Sequence, residues 1–451
     1  MAAGTTLLVR SAALVRALAG RRAGILLPNG EAFVVALAAC EGRGAVLINP
    51  LAAPLEIAAQ LADANVGAVF TVGALAPRLP QGIPHVLLDR APREATVVAA
   101  DATRTVDLGS HVGLSLEGDP DAPGRDEEAA VVYTSAMGGR PLGAVLTHRA
   151  LLHNARIVVA AMALRPDDRV LAPLPFAHLF GFTVTLVAPL LAGATVLPEE
   201  RFAPTRVAAR LSSGDTSVVV GVPALDRALL AVLDSQDAAR LPDVVRLCIC
   251  GGAPLDPDLQ ARWERRTGVP LRQGYGLTEA GPVCLFNLLD EPNRPGTLGR
   301  PYPGIRASIR DPVTSEPLEH GRTGEICVAG DSLFRGYLDQ SNAGLAVRGG
   351  WLHTGDLGAM DERGVITFAG IRKAMFTRNG FNIYPRELEL AVRELPGVTA
   401  AKAEAVPSPE RENDIRLTVE GTPSPDEVAA WCERRLSVYK QPTEIVVRAP
   451  R

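Results

Sequence analysis

The sequence predicts an α/β protein. Residues 1–371 form a large N-terminal domain of two βαβ-rich sheet subdomains plus a small β subdomain, and residues 372–451 form a small α+β C-terminal domain. Three observations predict this. Short apolar runs alternate with helical patterns through most of the chain, which is the signature of βαβ units and parallel sheets. From about Pro295 to Phe368 short strands and Gly/Pro turns take over. Beyond Gly370 a compact segment carries its own helix signal, so the boundary falls near Gly370 to Lys373. A length of 451 residues suits two or three domains, and 47% hydrophobic residues can fill their cores.

Taken in order, the apolar runs at 23–27, 44–49, 66–72, 129–134, 170–173, 194–198, 217–220 and 244–250 read as buried strands. Helical patterns occupy 31–40, 55–64, 149–163 and 205–211, and 12–18 reads as an amphipathic surface helix. The polar stretch 118–128, rich in Asp, Gly and Pro, reads as a loop. Near the end, Pro385 opens a helix, where its missing N–H leaves nothing unpaired. Leu388, Ala391, Val392 and Leu395 then share one face, and Pro396-Gly397 stops the helix.

Composition removes several function classes. A net charge of -4 with 21% charged residues gives no reason to expect nucleic acid, and 4% aromatics offer few stacking platforms. The six cysteines match no zinc spacing, and Cys248 and Cys250 fall inside an apolar run that reads as a buried strand. Scattered thiols suit a reducing cytoplasm, the expected location. Arg10, Arg16, Arg21 and Arg22 interrupt the N-terminal apolar stretches, so neither a secretory segment nor a membrane span is expected there.

Four motifs carry chemistry. Tyr133-Thr-Ser-Ala-Met-Gly-Gly-Arg-Pro-Leu-Gly143 follows a strand and is read as leading into a helix, where small residues let backbone N–H groups approach an anion. Gly251-Gly-Ala-Pro-Leu255 directly follows the strand at 244–250, at the sheet edge where flat ligands bind. In Gln273-Gly-Tyr-Gly-Leu-Thr-Glu279, Tyr275 can stack on a base, Thr278 can reach a phosphate and Glu279 can hold a hard cation. In Trp351-Leu-His-Thr-Gly-Asp356, a carboxylate after a Gly turn can hold both hydroxyls of a ribose. Each alone is equally well a structural turn. Together and in this order they are hard to explain by packing.

These motifs, with Gly24-Ile-Leu-Leu-Pro-Asn-Gly30, Leu174-Pro-Phe-Ala-His-Leu-Phe-Gly181, Gly221-Val-Pro223, Gly299-Arg-Pro301, Gly324-Glu325, Gly336-Tyr337 and Tyr384-Pro385, resemble the adenylate-forming superfamily of acyl-CoA ligases, luciferases and nonribosomal adenylation domains. The resemblance runs nearly end to end. It implies that the small domain is mobile, that ATP and an acid form an acyl-AMP, and that a thiol then displaces AMP. It implies that Gly252, Ala253, Pro254, Gly274, Tyr275 and Gly276 frame the nucleotide, with Thr278 on the α-phosphate, Glu279 beside it and Asp356 on the ribose. His178 faces the acyl carbonyl and, with Gly380, is a catalytic candidate. Phe176, Phe182, Val220 and Cys284 are expected to wall the acyl pocket, and Asn379, Gly380 and Phe381 the CoA tunnel.

The departures sharpen the expectation. The family's phosphate loop reads TSGTTGxPKG, and here Thr134 and Ser135 are kept. Ala136 and Met137 replace Gly and Thr, Gly138 replaces the second Thr, Gly139 remains, and Leu142 replaces Lys. The family also continues past Tyr439-Lys-Gln-Pro442 to a Gly-Lys that serves adenylation, whereas this sequence stops at Arg451. Ile371 stands where an Arg usually reaches the ribose, and Ala374 where a hinge Asp or Lys is usual. One well-placed donor is worth roughly 10²–10³ in rate, so losing several together should nearly abolish adenylation. The pattern resembles the non-adenylating acyl-CoA ligases of platensimycin/platencin-type diterpenoid biosynthesis. The leading expectation is thus transfer of the acyl group of a preformed acyl-AMP to CoA. Acyl-AMP and CoA are then substrates, no cofactor is tightly bound, Mg²⁺ on Glu279 is dispensable, and a separate adenylating enzyme is a possible partner. Two alternatives stay open: a complete ATP-dependent ligase working through Lys373, Lys402, Lys440 or Arg140, and a catalytically dead nucleotide-binding scaffold.

Overall fold

The computed structural model describes residues 18, 20–40, 42, 44–89, 93–99, 102–107, 126–134, 141–236, 240–339, 347–371 and 375–449. Two sheets organise the large domain among these residues. In the first, a parallel centre of Ala45–Leu47, Arg22–Ile25, Val66–Thr71 and His85–Leu87 is extended by antiparallel strands on one side. On its other side lie Glu128–Thr134, Leu142–Thr147 and Gly336–Tyr337. The second runs Thr195–Pro198, Arg169–Ala172, Val218–Gly221, Leu247–Cys250 and Leu271–Gly276 in parallel, then Val283–Phe286 and Arg300–Pro301 antiparallel. Strands such as Val-Val-Val-Gly and Leu-Cys-Ile-Cys lack polar alternation because both their faces are covered.

The crossover helices follow the predicted positions within a residue or two: Glu31–Ala39, Pro54–Asp63, His148–Ala161 and Pro204–Ser212. Proline opens Pro54–Asp63, Pro204–Ser212, Pro223–Asp234 and Pro385–Arg393, fixing φ for the first turn. Thr147 caps His148–Ala161 by accepting the Ala150 N–H at 3.1 Å. The short-strand region forms the expected small β subdomain, with Arg306–Arg310, Gly324–Ala329, Trp351–Met360 and Val347–Arg348 as antiparallel neighbours and Ile366–Ile371 paired to Trp351–Met360.

The C-terminal segment has its own core. Strands Val398–Ser408, Glu412–Gly421 and Glu444–Arg448 form a sheet, covered by Pro385–Arg393 and Pro425–Arg435. Ile383, Leu388, Val392, Ile415, Leu417, Val419 and Val428 are buried between them. The helix predicted from Leu388 and Val392 is present and both residues are fully buried.

One local reading is corrected. Tyr133 to Gly143 does not lead into a helix. Thr134 pairs with Leu142 and Tyr133 with Gly143 in an antiparallel hairpin, and the helix begins only at His148. Val145 and Leu146 are β-branched or apolar partners for the buried Val131 and Ala130, so burial extends the strand past the motif. The tip of that hairpin, 135–140, lies outside the described residues, as do the loop at 118–125, most of the 12–18 helix reading, and Lys373 and Ala374 at the boundary. All six cysteines are free and buried, including Cys248 and Cys250 on their strand. No described helix is long and apolar enough to cross a membrane.

Candidate active site

The C-terminal ends of the second sheet, the Trp351–Met360 strand and the small domain enclose one cavity of about 1460 Å³. Its nucleotide-like wall is built from strand ends. Leu247–Cys250 runs out into Gly251 and Gly252, and Gly252 takes φ 76°, a left-handed conformation that favours glycine. Leu271–Gly276 ends at Gly276, where an added Cβ would sit 1.7 Å from the Pro282 carbonyl oxygen. Only glycine lets Leu277, Thr278 and Glu279 turn into the cavity beside Tyr275.

Tyr275 and Asp356 are joined: the Tyr275 hydroxyl donates to Asp356 Oδ2 at 2.7 Å. Burial, then the Asp356 charge, pushes the phenol well above its ordinary pKa, so it stays a donor. The turn presenting Asp356 is held from behind. Glu325 Oε1 accepts the Gly355 N–H at 2.9 Å, and Glu325 Oε2 lies 3.0 Å from His353 Nδ1. Thr354 Oγ1 donates to the Ile326 carbonyl at 2.7 Å and accepts the Asp356 N–H at 3.1 Å. Glu325, His353 and Thr354 are buried, so these bonds are not diluted by water. Glu279 is also committed: the Tyr337 hydroxyl donates to its Oε1 at 2.6 Å.

His178 presents its ring to the cavity. Its Nδ1 accepts the Phe180 N–H at 3.2 Å; the ring is exposed to the cavity, whose surrounding walls desolvate it and lower its pKa. A neutral ring accepting at Nδ1 carries its proton on Nε2. His178 is therefore set up as a hydrogen-bond donor to a ligand oxygen.

The third wall comes from the small domain. Asn379, Gly380 and Phe381 reach the same cavity as His178. Gly380 has φ 76°, and a Cβ there would lie 2.7 Å from Val222 Cγ2, so the two domains meet backbone to side chain. Phe381 stacks on Tyr439, ring centroids 4.1 Å apart at 15°.

The sequence-predicted residues Thr134, His178, Gly252, Ala253, Pro254, Gly274, Tyr275, Gly276, Thr278, Glu279, Asp356, Asn379, Gly380 and Phe381 all line this one cavity. The expected acyl-pocket walls do not. Phe176, Phe182, Val220 and Cys284 are 1%, 3%, 0% and 0% exposed and belong to the core. Phe33 fills the space between the aromatic pair, 5.3 Å from Phe176 and 6.3 Å from Phe182. The apolar residues that do line the cavity include Phe180, Val222, Leu225 and Leu277. Phe180, Val222 and Leu277 stand inside quoted motifs that were read for their other residues, and Leu225 lies two residues past Pro223. Leu142 lies in the hairpin strand, and 135–140 fall outside the described residues.

Sequence reasoning also missed how the basic groups are placed. Among the described lining residues the basic ones are Arg78, Arg201 and Lys440. Arg78 donates to the Pro50 and Ala52 carbonyls, and Lys440 pairs with Glu56 and Glu387. Lys402 points outward to Glu404. Glu325, Cys327 and His353 bring three metal-capable atoms within 4.8 Å of one another, behind the Asp356 turn. Their separation in sequence hid this; antiparallel pairing of Cys327 with His353 creates it.

With this geometry in place, the comparisons are direct. The family model described as AMP-binding enzyme matches residues 10–338. A feruloyl-CoA synthase from an Amycolatopsis species is 32% identical over 439 residues, covering 94% of this chain and 84% of that protein. A malonyl-CoA ligase solved as a ternary product complex with methylmalonyl-CoA and AMP overlays with TM-score 0.79 at 25% identity, covering 99% of this chain and 92% of that one. ATP-bound MatB from Rhodopseudomonas palustris overlays with TM-score 0.68 at 25% identity, covering 99% and 88%.

Proposed function

The chain belongs to the AMP-binding enzyme family and is an enzyme of the acyl-CoA ligase kind, and from that premise we propose that it works on the second half-reaction alone. It takes a preformed acyl-AMP and passes the acyl group to CoA, releasing AMP. The observation that carries this reading is that Gly252, Tyr275, Thr278 and Asp356 line one cavity together with the small-domain loop Asn379–Phe381. The sequence of the phosphate loop, with Ala136, Met137, Gly138 and Leu142, supports it from the other side.

The residues divide the work. Gly252 and Tyr275 frame the base, Asp356 takes the ribose hydroxyls, and Thr278 meets the phosphate. The thiol enters past Gly380 and its sulfur attacks the acyl carbon. The bond from that carbon to the phosphate oxygen breaks, AMP leaves with the electron pair, and the thiol proton passes to solvent. His178 Nε2–H donates to the carbonyl oxygen as negative charge grows there, a role of the oxyanion-hole type. An ordinary thiol has a pKa of ~8.5, so a modest local push yields thiolate at neutral pH. No step involves pyrophosphate, so neither a triphosphate grip nor Mg²⁺ is required. Glu279 is then kept for its hydrogen bond with Tyr337.

Synthetic acyl-AMP esters of aromatic and aliphatic acids, offered with CoA, test the reading. Thioester formation from at least one is expected; none from a broad panel argues against it. A second reading, a complete ATP-dependent ligase, is favoured by the named activity of the relatives. Acid-dependent ATP–pyrophosphate exchange would establish it.

A further inference from the structure

Lys440 is 2% exposed, yet it lies against the large domain rather than solvent. Its Nζ is 3.1 Å from Glu56 Oε1 and 2.6 Å from Glu387 Oε1. Glu56 belongs to the large domain, in the first turn of Pro54–Asp63, and its other oxygen accepts the Ser437 hydroxyl. Ser437 is fully buried. The Val438 N–H donates to the Leu51 carbonyl at 3.3 Å, so the same turn is tied to the large domain by backbone as well. One carboxylate thus holds both ends of the 437–440 turn.

That turn leads directly to the thiol-side loop. Tyr439 stacks on Phe381, and Arg378 Nη1 donates to the carbonyls of Tyr439 and Gln441 at 3.2 and 2.7 Å. Arg378 and Phe381 bracket Asn379-Gly380, the segment that touches Val222 beside the cavity. Lys440 also fastens Glu387 on the helix that follows the loop. Burial raises the Glu387 pKa while Lys440 opposes that shift, so the lysine's charge is what makes the buried Glu387 carboxylate tolerable beside the half-buried Glu56.

We propose that Glu56 is a positioning residue for thioester formation: through Ser437 and Lys440 it docks the small domain so that Gly380 and Phe381 complete the thiol tunnel. Glu56 lines the same cavity, and both its oxygens are engaged by Ser437 and Lys440, so its role is docking rather than chemistry. If the docked pose is only fractionally populated without it, apparent CoA affinity falls by that fraction while the acyl-AMP cradle, built within the large domain, is unchanged. The inference concerns the thioester-forming step alone and holds whether the acyl-AMP is made here or supplied.

The test compares the full-length protein with Glu56→Ala and Glu56→Gln. For a turned-over acyl-AMP, Glu56→Ala should lower kcat/KM for CoA at least about tenfold, with acyl-AMP affinity held within about twofold. Glu56→Gln keeps one acceptor oxygen, enough for Ser437 or Lys440 but not for both at separate atoms, and should recover part of the loss. Hydrogen exchange read without substrate should show 437–441 and 379–381 losing protection in Glu56→Ala, while Leu247–Cys250 keeps it. Unchanged CoA kinetics, unchanged exchange in those two segments, or an equal loss of acyl-AMP and CoA affinity would each overturn the proposal. The exchange arm reads the docking even if no acyl-AMP turns over, so it stands apart from the test of the half-reaction.

Discussion

The two ends of the cavity are built on opposite principles. At the nucleotide end Tyr275, Thr354, Asp356 and Glu325 all belong to the large domain and bond to one another behind the ligand surface. At the thiol end Gly380 and Phe381 arrive from the small domain, and their position depends on contacts that cross a domain boundary at Glu56 and Val222. A preorganised end can hold a ligand while the assembled end comes and goes. Substitutions at the first should therefore register as binding of acyl-AMP, and those at the second as handling of CoA.

The largest expected effect falls at the junction between the two ends. His178→Ala should slow thioester formation by roughly 10²-fold while acyl-AMP affinity changes by less than about threefold, the signature of an interaction made mainly in the transition state. Equal losses in rate and affinity would remove His178 from the chemistry. Next comes Asp356→Ala, which deletes a charged acceptor. Acyl-AMP affinity should drop about 10- to 100-fold, measured by calorimetry with a non-hydrolysable analogue, and the KM for CoA should stay near its starting value. Smaller again is Glu325→Ala. It touches no ligand but frees the Gly355 N–H, so acyl-AMP affinity should fall several-fold with CoA kinetics preserved. A loss confined to CoA would break the comparison.

The smallest effect concerns stability at the seam. Asp226 is 1% exposed, and its Oδ2 has no hydrogen-bond partner among the described residues. Desolvation raises its pKa from 3.8 to about 7, opposed by the Cys250 thiol and Arg227. A carboxyl whose folded pKa lies above its unfolded one gains a proton on folding, so its contribution is full below about pH 4 and is lost as pH rises through about 7. Asp226→Asn should remove that loss. The variant should melt a few degrees above the parent at pH 8, with the gap closing toward pH 5. A constant gap at every pH would show that packing, not titration, sets the difference.

Much of this was legible in the residues. Continuous apolar runs such as Val218–Gly221 announced strands because both their faces are covered, and Pro385 marked a helix start through its fixed φ. Gly252, Tyr275 and Asp356 stood in recognisable motifs because close approach to a nucleotide permits few residue types. The hairpin at 128–147 was misread because glycines mark a turn without saying whether a strand or a helix follows it. The acyl-pocket walls were displaced for a related reason. Val220 lies inside the strand Val218–Gly221 and is fully buried in the core, whereas Val222 lies past the strand end, where the two-residue alternation no longer applies, and lines the cavity. Glu56 and Lys440 are 384 residues apart, and no local pattern joins residues that meet only when two domains dock.

The central claim is that a cradle for a nucleoside monophosphate ester has been kept while the grip on a polyphosphate has been lost. One acid should be offered to the purified protein in two forms with CoA, side by side: as the free acid with ATP and Mg²⁺, and as its AMP ester. The account predicts thioester from the ester and essentially none from the free acid. Comparable rates from both would contradict it.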